Sequence, residues 1–277
     1  MNGLWNNTKT TLLMGGMMGL VLGIGYLLGG QDALIWALLL GGGMNIVAYF
    51  YSDRIALATM RAREVGPDDD PWLYGIVHDL AQRANMRTPR VYVSPAAAPN
   101  AFATGRNPQH SAVCVTAGLR QILNQQEMEG VLAHELSHIR HRDILISTIA
   151  AVLAGAISYL GYIALWFGGG RRRDSNPLAA LLVIIFAPMA AMLIRLAISR
   201  SREYEADRGG ALLAGSSAGL SAALRKLHMA SRQIPLPVNE AQSHLFIVAP
   251  LTGDGARKLF MTHPPVEERI RRLDAMR

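Results

Sequence analysis

A mainly α-helical membrane protein with a small β-sheet is the fold class that this sequence predicts. Three observations lead there. The 277 residues are 51% apolar but only 6% aromatic, a balance that suits aliphatic membrane helices beside a soluble core. Four apolar segments, at about 11–28, 33–51, 144–167 and 177–194, approach the length of a bilayer span. Between and after them lie amphipathic helical patterns and a few short runs of strand type. The chain therefore divides into an N-terminal membrane hairpin over 1–52, the first part of a soluble domain over 53–143, a second membrane hairpin over 144–194, and the rest of the same domain over 195–277.

The first apolar segment, Thr11 to Leu28, follows Lys9 and lacks a small-residue cleavage site, so it reads as a retained anchor. Gly15, Gly19 and Gly23 recur every four residues, which makes either a stripe for close helix packing or glycines merely tolerated in a span. A short turn, Gly29 to Asp32, leads into Ala33–Tyr51. The turn carries no Lys or Arg, whereas Arg54, Arg61 and Arg63 follow the second segment, so the charge bias places both flanks and the domain after them in the cytoplasm.

Val65–Asp70 reads as a linker ending in an N-cap, Asp70, with Pro71 at the first helical position of a helix from Trp72 to about Asn85. Arg90–Ser94 and Ser111–Thr116 have strand character, and the single cysteine, Cys114, packs inside the second. One cysteine excludes an internal disulfide and any multi-cysteine metal site. Pro95 and Pro99 fence off Asn100–Thr104, which suits either an edge strand able to pair with an extended peptide or a plain surface loop. Asn124 and Glu127 have capping-box spacing and start the next helix, which runs on without a break into Ile144–Phe167.

That helix carries His134-Glu135-Leu136-Ser137-His138. Residues four apart share a helix face, so His134 and His138 aim two imidazoles at one point while Glu135 flanks them about 100° round the axis. This is half of a zinc site with a base attached. A catalytic zinc takes three protein ligands. His141 lies close in sequence, but the chain lacks the continuation that turns a third histidine back to the metal, and His141 is expected to sit with Arg140 and Arg142 as a solvated cationic cluster. The better source is Arg202–Asp207, where Glu203 and Asp207 share a face and Glu205 points roughly 200° away from Glu203. Asp207 is suited to accept the second N–H of one histidine.

Pro177–Ile194, kinked at Pro188, must return the chain to the side it left, because Glu203 has to meet the two histidines. Arg171-Arg172-Arg173 at the tip of this hairpin opposes the charge bias, yet full spanning is the expectation. Ala211–Ser231 follows as one amphipathic helix with Leu213, Leu220, Leu224 and Leu227 in its apolar pattern, and a basic helix closes the chain around Glu267–Met276. The net charge of +7 raises nucleic acid as a partner. The basic residues lie beside apolar segments without interleaved aromatics, so the expectation is a lipid bilayer with anionic headgroups and no nucleic acid.

The order of His134-Glu135-x-x-His138, a pair of apolar segments, Ser201-Arg202-Glu203-Tyr204-x-Ala206-Asp207 and His263-Pro264-Pro265 resembles the HtpX family of membrane zinc metalloproteases, relatives of the CAAX prenyl proteases. Asn100-Ala101-Phe102-Ala103-Thr104-Gly105 is similar to that family's motif ahead of the metal helix. The resemblance implies a zincin-like (gluzincin) domain with four membrane helices in the bacterial inner membrane, its active site facing the cytoplasm. It implies one Zn2+ per chain on His134, His138 and Glu203, Glu135 as the catalytic base, and Asp207 behind a histidine. It further implies protein or peptide substrates bound along Asn100, Ala101 and Phe102, with His263 stabilising an oxyanion or binding substrate, and a role in stress response and quality control of misfolded membrane proteins. A CAAX-type processing protease would share the site but has more membrane segments than the four here. A non-catalytic metal-binding scaffold would not need Glu135.

Overall fold

The computed structural model describes residues 30–141, 143–145, 200–233 and 264–276, together with scattered positions between 8 and 26 and at 149. Most of the second apolar hairpin, with Arg171–Arg173 and Pro188, the stretch 234–261, and His263 lie outside the described residues. What is described is mainly helical with one small mixed sheet.

Helix α1, Asp32–Thr59, is longer than the apolar segment that predicts it. It holds no proline and continues through Asp53 and Arg54, ending only where Arg61 takes φ 49°. Its stretch Leu34–Thr59, 26 residues, is long and apolar enough to cross a membrane, and Ile35, Trp36, Leu39 and Leu40 are exposed along it. Among the described residues the Gly15, Gly19, Gly23 stripe meets nothing within 4 Å; a close approach is made at Gly41, where an added Cβ would lie 3.0 Å from Met18 Sδ and 3.3 Å from Val21 Cβ. Asn45 Nδ2 donates to the Met14 carbonyl at 3.1 Å.

Strand β1, Arg63–Val65, ends on the first residue of what reads as a linker. Three residues carry no legible alternation, which is why the pattern misses it. The remaining strands are β2, Arg90–Ser94, β3, Ala101–Asn107, and β4, His110–Thr116, in the order β1-β2-β4-β3. β2 runs parallel to β4, while β1 and β3 pair antiparallel with their neighbours. β3 is therefore an edge, as the proline-fenced stretch suggests.

Both faces of the sheet are covered. On one, the end of α1 brings Ala56 and Leu57 onto Tyr92, Phe102, Ala112 and Cys114. On the other, Val91, Val93, Val113 and Val115 meet Leu73, Val77 and Leu80 of helix α2, Pro71–Arg83, and Met128, Leu132 and Leu136 of helix α4, Gln125–His141. Between β4 and α4 runs helix α3, Ala117–Ile122. Asp70 caps α2, its Oδ1 accepting from Leu73 N at 3.2 Å. Asn124 and Glu127 form the capping box at the start of α4, each side chain accepting the other's main-chain N–H at 2.9 Å.

Two expectations about the later helices are corrected. α4 does not run on into the apolar segment: it ends at His141, and Asp143 is non-helical, its N–H donating back to the His138 carbonyl at 3.0 Å. Nor is Ala211–Ser231 one helix. Helix α5, Arg200–Ala214, passes through Gly209 and Gly210, and helix α6, Ala218–Gln233, starts after Gly215, whose φ of 78° no helix accommodates. Gly210 sits at the crossing of α5 over α4, where a Cβ would come within 2.8 Å of His134 N and Cα. Helix α7, Val266–Asp274, packs on α6 and α5.

Candidate active site

α4 and α5 cross at their small residues, and this places the acidic face of α5 over the two histidines of α4. His134 Nε2 and His138 Nε2 lie 3.2 Å apart. Glu203 reaches both, with Oε1 3.6 Å from His138 Nε2 and Oε2 3.9 Å from His134 Nε2. One ligand atom from each of the three residues falls within 4.8 Å of the others. Glu203 and Asp207 are buried while Glu205 is exposed, as their angular separation on the helix requires.

Each histidine is backed by a carboxylate. Asp207 Oδ1 is 3.0 Å from His134 Nδ1, and Asp143 Oδ2 is 3.4 Å from His138 Nδ1. An ionised carboxylate only accepts, so the geometry assigns the ring proton to Nδ1 in both rings. The two Nε2 atoms then face each other across 3.2 Å, with Arg269 Nη2 3.4 Å from that of His134, a separation that a shared proton or a metal ion between the rings can bridge. A tetrahedral metal at about 2.0–2.1 Å from each nitrogen separates its ligands by about 3.4 Å. The donor set, two imidazoles and a carboxylate, fits a divalent ion of the zinc type.

Charge around the site follows from burial and pairing. Burial lowers the affinity of His138 for a proton, but Asp143, Glu203 and Glu135 outweigh it and lift its pKa to about 9. Burial raises the pKa of Glu135, partly offset by the two histidines and by the Ala103 N–H, which donates to Oε2 at 2.9 Å. Burial would raise Asp207 too, yet Arg269 holds it well below the usual carboxylate range.

Arg269 and Asp143 are the contributors that sequence reasoning misses. Arg269, fully buried, donates from Nε to Asp207 Oδ2 at 2.8 Å and from Nη2 to Oδ1 at 2.6 Å, and its Nη1 is 3.7 Å from Glu203 Oε2. A signal for it exists: Val266, Arg269 and Leu273 form the buried stripe of α7, and an arginine on such a stripe requires an internal acidic partner. Asp143 reaches His138 because the chain turns at the end of α4, with Arg202 Nη1 3.8 Å from its other oxygen. His141, expected in solvent, is half-buried with Nδ1 3.5 Å from Ser137 Oγ, against Gly209.

The edge strand β3 lies beside α4. Asn100 is buried and its main chain is tied to Thr116: its N–H donates to Oγ1 at 2.8 Å and its carbonyl accepts from Thr116 N at 2.9 Å. Main-chain groups alternate along an antiparallel strand, so Phe102 also bonds inward, and Ala101 and Ala103 direct theirs to the outer edge, where Glu135 takes the Ala103 N–H and no further strand pairs among the described residues. The Phe102 side chain packs on the face away from the histidines.

Residues 67–277 match the sequence profile of Peptidase family M48. The chain belongs to peptidase family M48. Among its relatives, a Protease HtpX homolog of Syntrophotalea carbinolica is 52% identical, over 98% of this chain and 99% of that protein. Another from Pelotomaculum thermopropionicum is 51% identical over the same shares, and one from Thermodesulfovibrio yellowstonii is 52% identical over 97% of both chains. The fold is shared with the crystal structure of S. mikatae Ste24p, at a TM-score of 0.55 and 18% identity, covering 99% of this chain and 66% of that one. The chain is thus a metallopeptidase of the M48 family in its HtpX branch.

For this M48 peptidase, Asp207→Ala and Arg269→Ala are each expected to weaken metal affinity about 10–100-fold without abolishing it, because Asp207 backs His134 at Nδ1 and Arg269 holds Asp207 in place. Competition with a chromogenic chelator measures this. Wild-type affinity in both variants would mean that the buried Arg269–Asp207 pair serves folding alone.

Proposed function

We propose that the chain is a membrane-anchored zinc endopeptidase whose site is built from His134, His138 and Glu203 as ligands and Glu135 as general base. The observation that carries this is the pair of Nε2 atoms held face to face by Asp207 and Asp143, with Glu203 completing the donor set. When bound there, one zinc ion per chain would lower the pKa of water and polarise the scissile carbonyl. Glu135 accepts the proton of the attacking water and passes it to the leaving amine. Its carboxylate is held by the Ala103 N–H, so the base and the open edge of β3 keep a fixed relation. An extended substrate pairs along that edge, through the outward groups of Ala101 and the Ala103 carbonyl. His263, next to the buried Pro264, is assigned to the substrate or oxyanion.

The apolar helix Leu34–Thr59 supports anchoring, and the sequence supports three further spans, at 11–28, 144–167 and 177–194. On this reading the membrane hairpins 1–52 and 144–194 flank the two parts of one cytoplasmic domain in a bacterial inner membrane. The HtpX homologues support the protease activity; removal of misfolded or damaged membrane proteins is the role that the resemblance to that family adds to the proposal. The likeness to Ste24p, at 18% identity, carries the fold and no prenylated substrate.

The test is cleavage of a denatured protein by the detergent-purified full chain. Cleavage is expected to stop on chelation and to return with one equivalent of zinc. Undiminished cleavage by protein verified as metal-free would overturn the proposal.

A further inference from the structure

The end of α1 is fastened to the sheet at three levels. Near its C-terminus, the Met60 carbonyl accepts from Ser94 Oγ at 2.6 Å, at the far end of β2. Two turns earlier, Asp53 Oδ2 is 2.9 Å from Arg90 Nη2, at the start of β2. Earlier still, the Arg106 guanidinium lies over the Phe50 ring, 5.6 Å from its centre. α1 and β2 therefore run side by side in the same direction. By strand register Arg90 is level with Ala112 and Thr104, so the turn from Asn107 to His110 lies beyond Asp53, toward the apolar part of α1.

At about 1.5 Å per residue the 26 residues of Leu34–Thr59 extend about 39 Å, more than a hydrocarbon core of about 30 Å. The surplus is the end that packs on the sheet. Around Phe50 the helix has the character of a membrane boundary: Val47, Phe50 and Tyr51 are exposed, Asp53 and Arg54 are its first charges after Asp32, and Arg54 lies over the Tyr51 ring at 5.4 Å. Arg106 reaches the same level from the sheet. Gln109 and His110, at the tip of the turn, are polar and exposed, suited to headgroups rather than to acyl chains.

We propose that the β3–β4 turn, with Arg106 and Arg54, rests in the anionic headgroup layer of the bilayer that α1 crosses, so that the open edge of β3 stands upright on the membrane. The inference rests on reading α1 as a span. A peptide paired on β3 then has one end at the bilayer surface, which selects segments directly adjoining a membrane span. Two arginines at this level attract anionic lipid by about 1 kcal/mol each, roughly fivefold per charge.

The experiment places an environment-sensitive fluorophore on a single introduced cysteine in the full chain, reconstituted into phosphatidylglycerol-containing vesicles. Cys114 is fully buried and its thiol is pushed up to about 12, so it does not compete for label. Gln109→Cys reports the turn, Leu39→Cys the middle of α1, and Gln125→Cys the start of α4 as the aqueous reference. The expected result is quenching of the label at 109 by nitroxide lipids labelled near the headgroup, with little quenching by iodide. The label at 39 should respond to mid-chain nitroxides. Arg106→Glu should reduce the headgroup quenching at 109 in anionic vesicles at least roughly fivefold. Iodide quenching at 109 equal to that at 125, with 39 still in lipid, overturns the proposal and leaves the span intact. Iodide access at 39 overturns the span itself. His110→Cys repeats the measurement if Gln109→Cys does not fold.

Discussion

Glu203→Ala is expected to abolish tight metal binding, whereas Glu205→Ala leaves it nearly unchanged. The contrast follows from one helix: Glu203 lies buried 3.6 Å and 3.9 Å from the two Nε2 atoms, and Glu205, two residues on, is exposed. Removing a proposed ligand leaves two imidazoles and must cost more than the roughly 10–100-fold expected of the supporting groups Asp207 and Arg269. Metal content per chain after detergent purification, with chelator competition, decides it. Glu203→Gln serves as the companion variant, because it keeps the side chain's volume beside Arg269 while removing its charge. One equivalent of tightly held metal in Glu203→Ala would sink the ligand assignment. Loss from Glu205→Ala alone would mean that the helix acts with its other face.

The centre of the site was legible because helix periodicity fixes which side chains share a face. His134 with His138, and Glu203 with Asp207, are both four apart, and the exposed Glu205 follows from the same rule. Their meeting across helices depends on Gly209 and Gly210, whose role as the crossing point is invisible without the partner helix. Arg269 was hidden differently. It lies 62 residues beyond its partner Asp207, in a helix whose abundant arginines suggest a solvated surface, and only the burial of Val266 and Leu273 on either side shows the stripe it occupies. Asp143 was missed because the apolar run after it invites a continuous helix, whereas α4 ends at His141 and the Asp143 N–H turns back to the His138 carbonyl. The break at Gly215 and the three residues of β1 are too local for periodicity to register.

Glu135→Gln is the variant that separates an enzyme from a metal-binding scaffold. The amide retains the size of the side chain and an oxygen able to accept from the Ala103 N–H, so the link to β3 should survive. Glu135 is not among the three residues whose ligand atoms converge, so metal content and folding should remain as in the wild type. What the amide lacks is the capacity to accept a proton from water. Burial raises the carboxyl's pKa, which strengthens it as a base. Loss of the base is expected to lower kcat by at least about 10²- to 10⁴-fold, with a smaller change in KM, because the β3 edge that pairs with substrate is untouched. The measurement is steady-state cleavage of a denatured protein by zinc-loaded variant and wild type, both verified for metal content and thermal unfolding. A zinc-loaded, folded Glu135→Gln that cleaves at the wild-type rate would remove Glu135 from the chemistry.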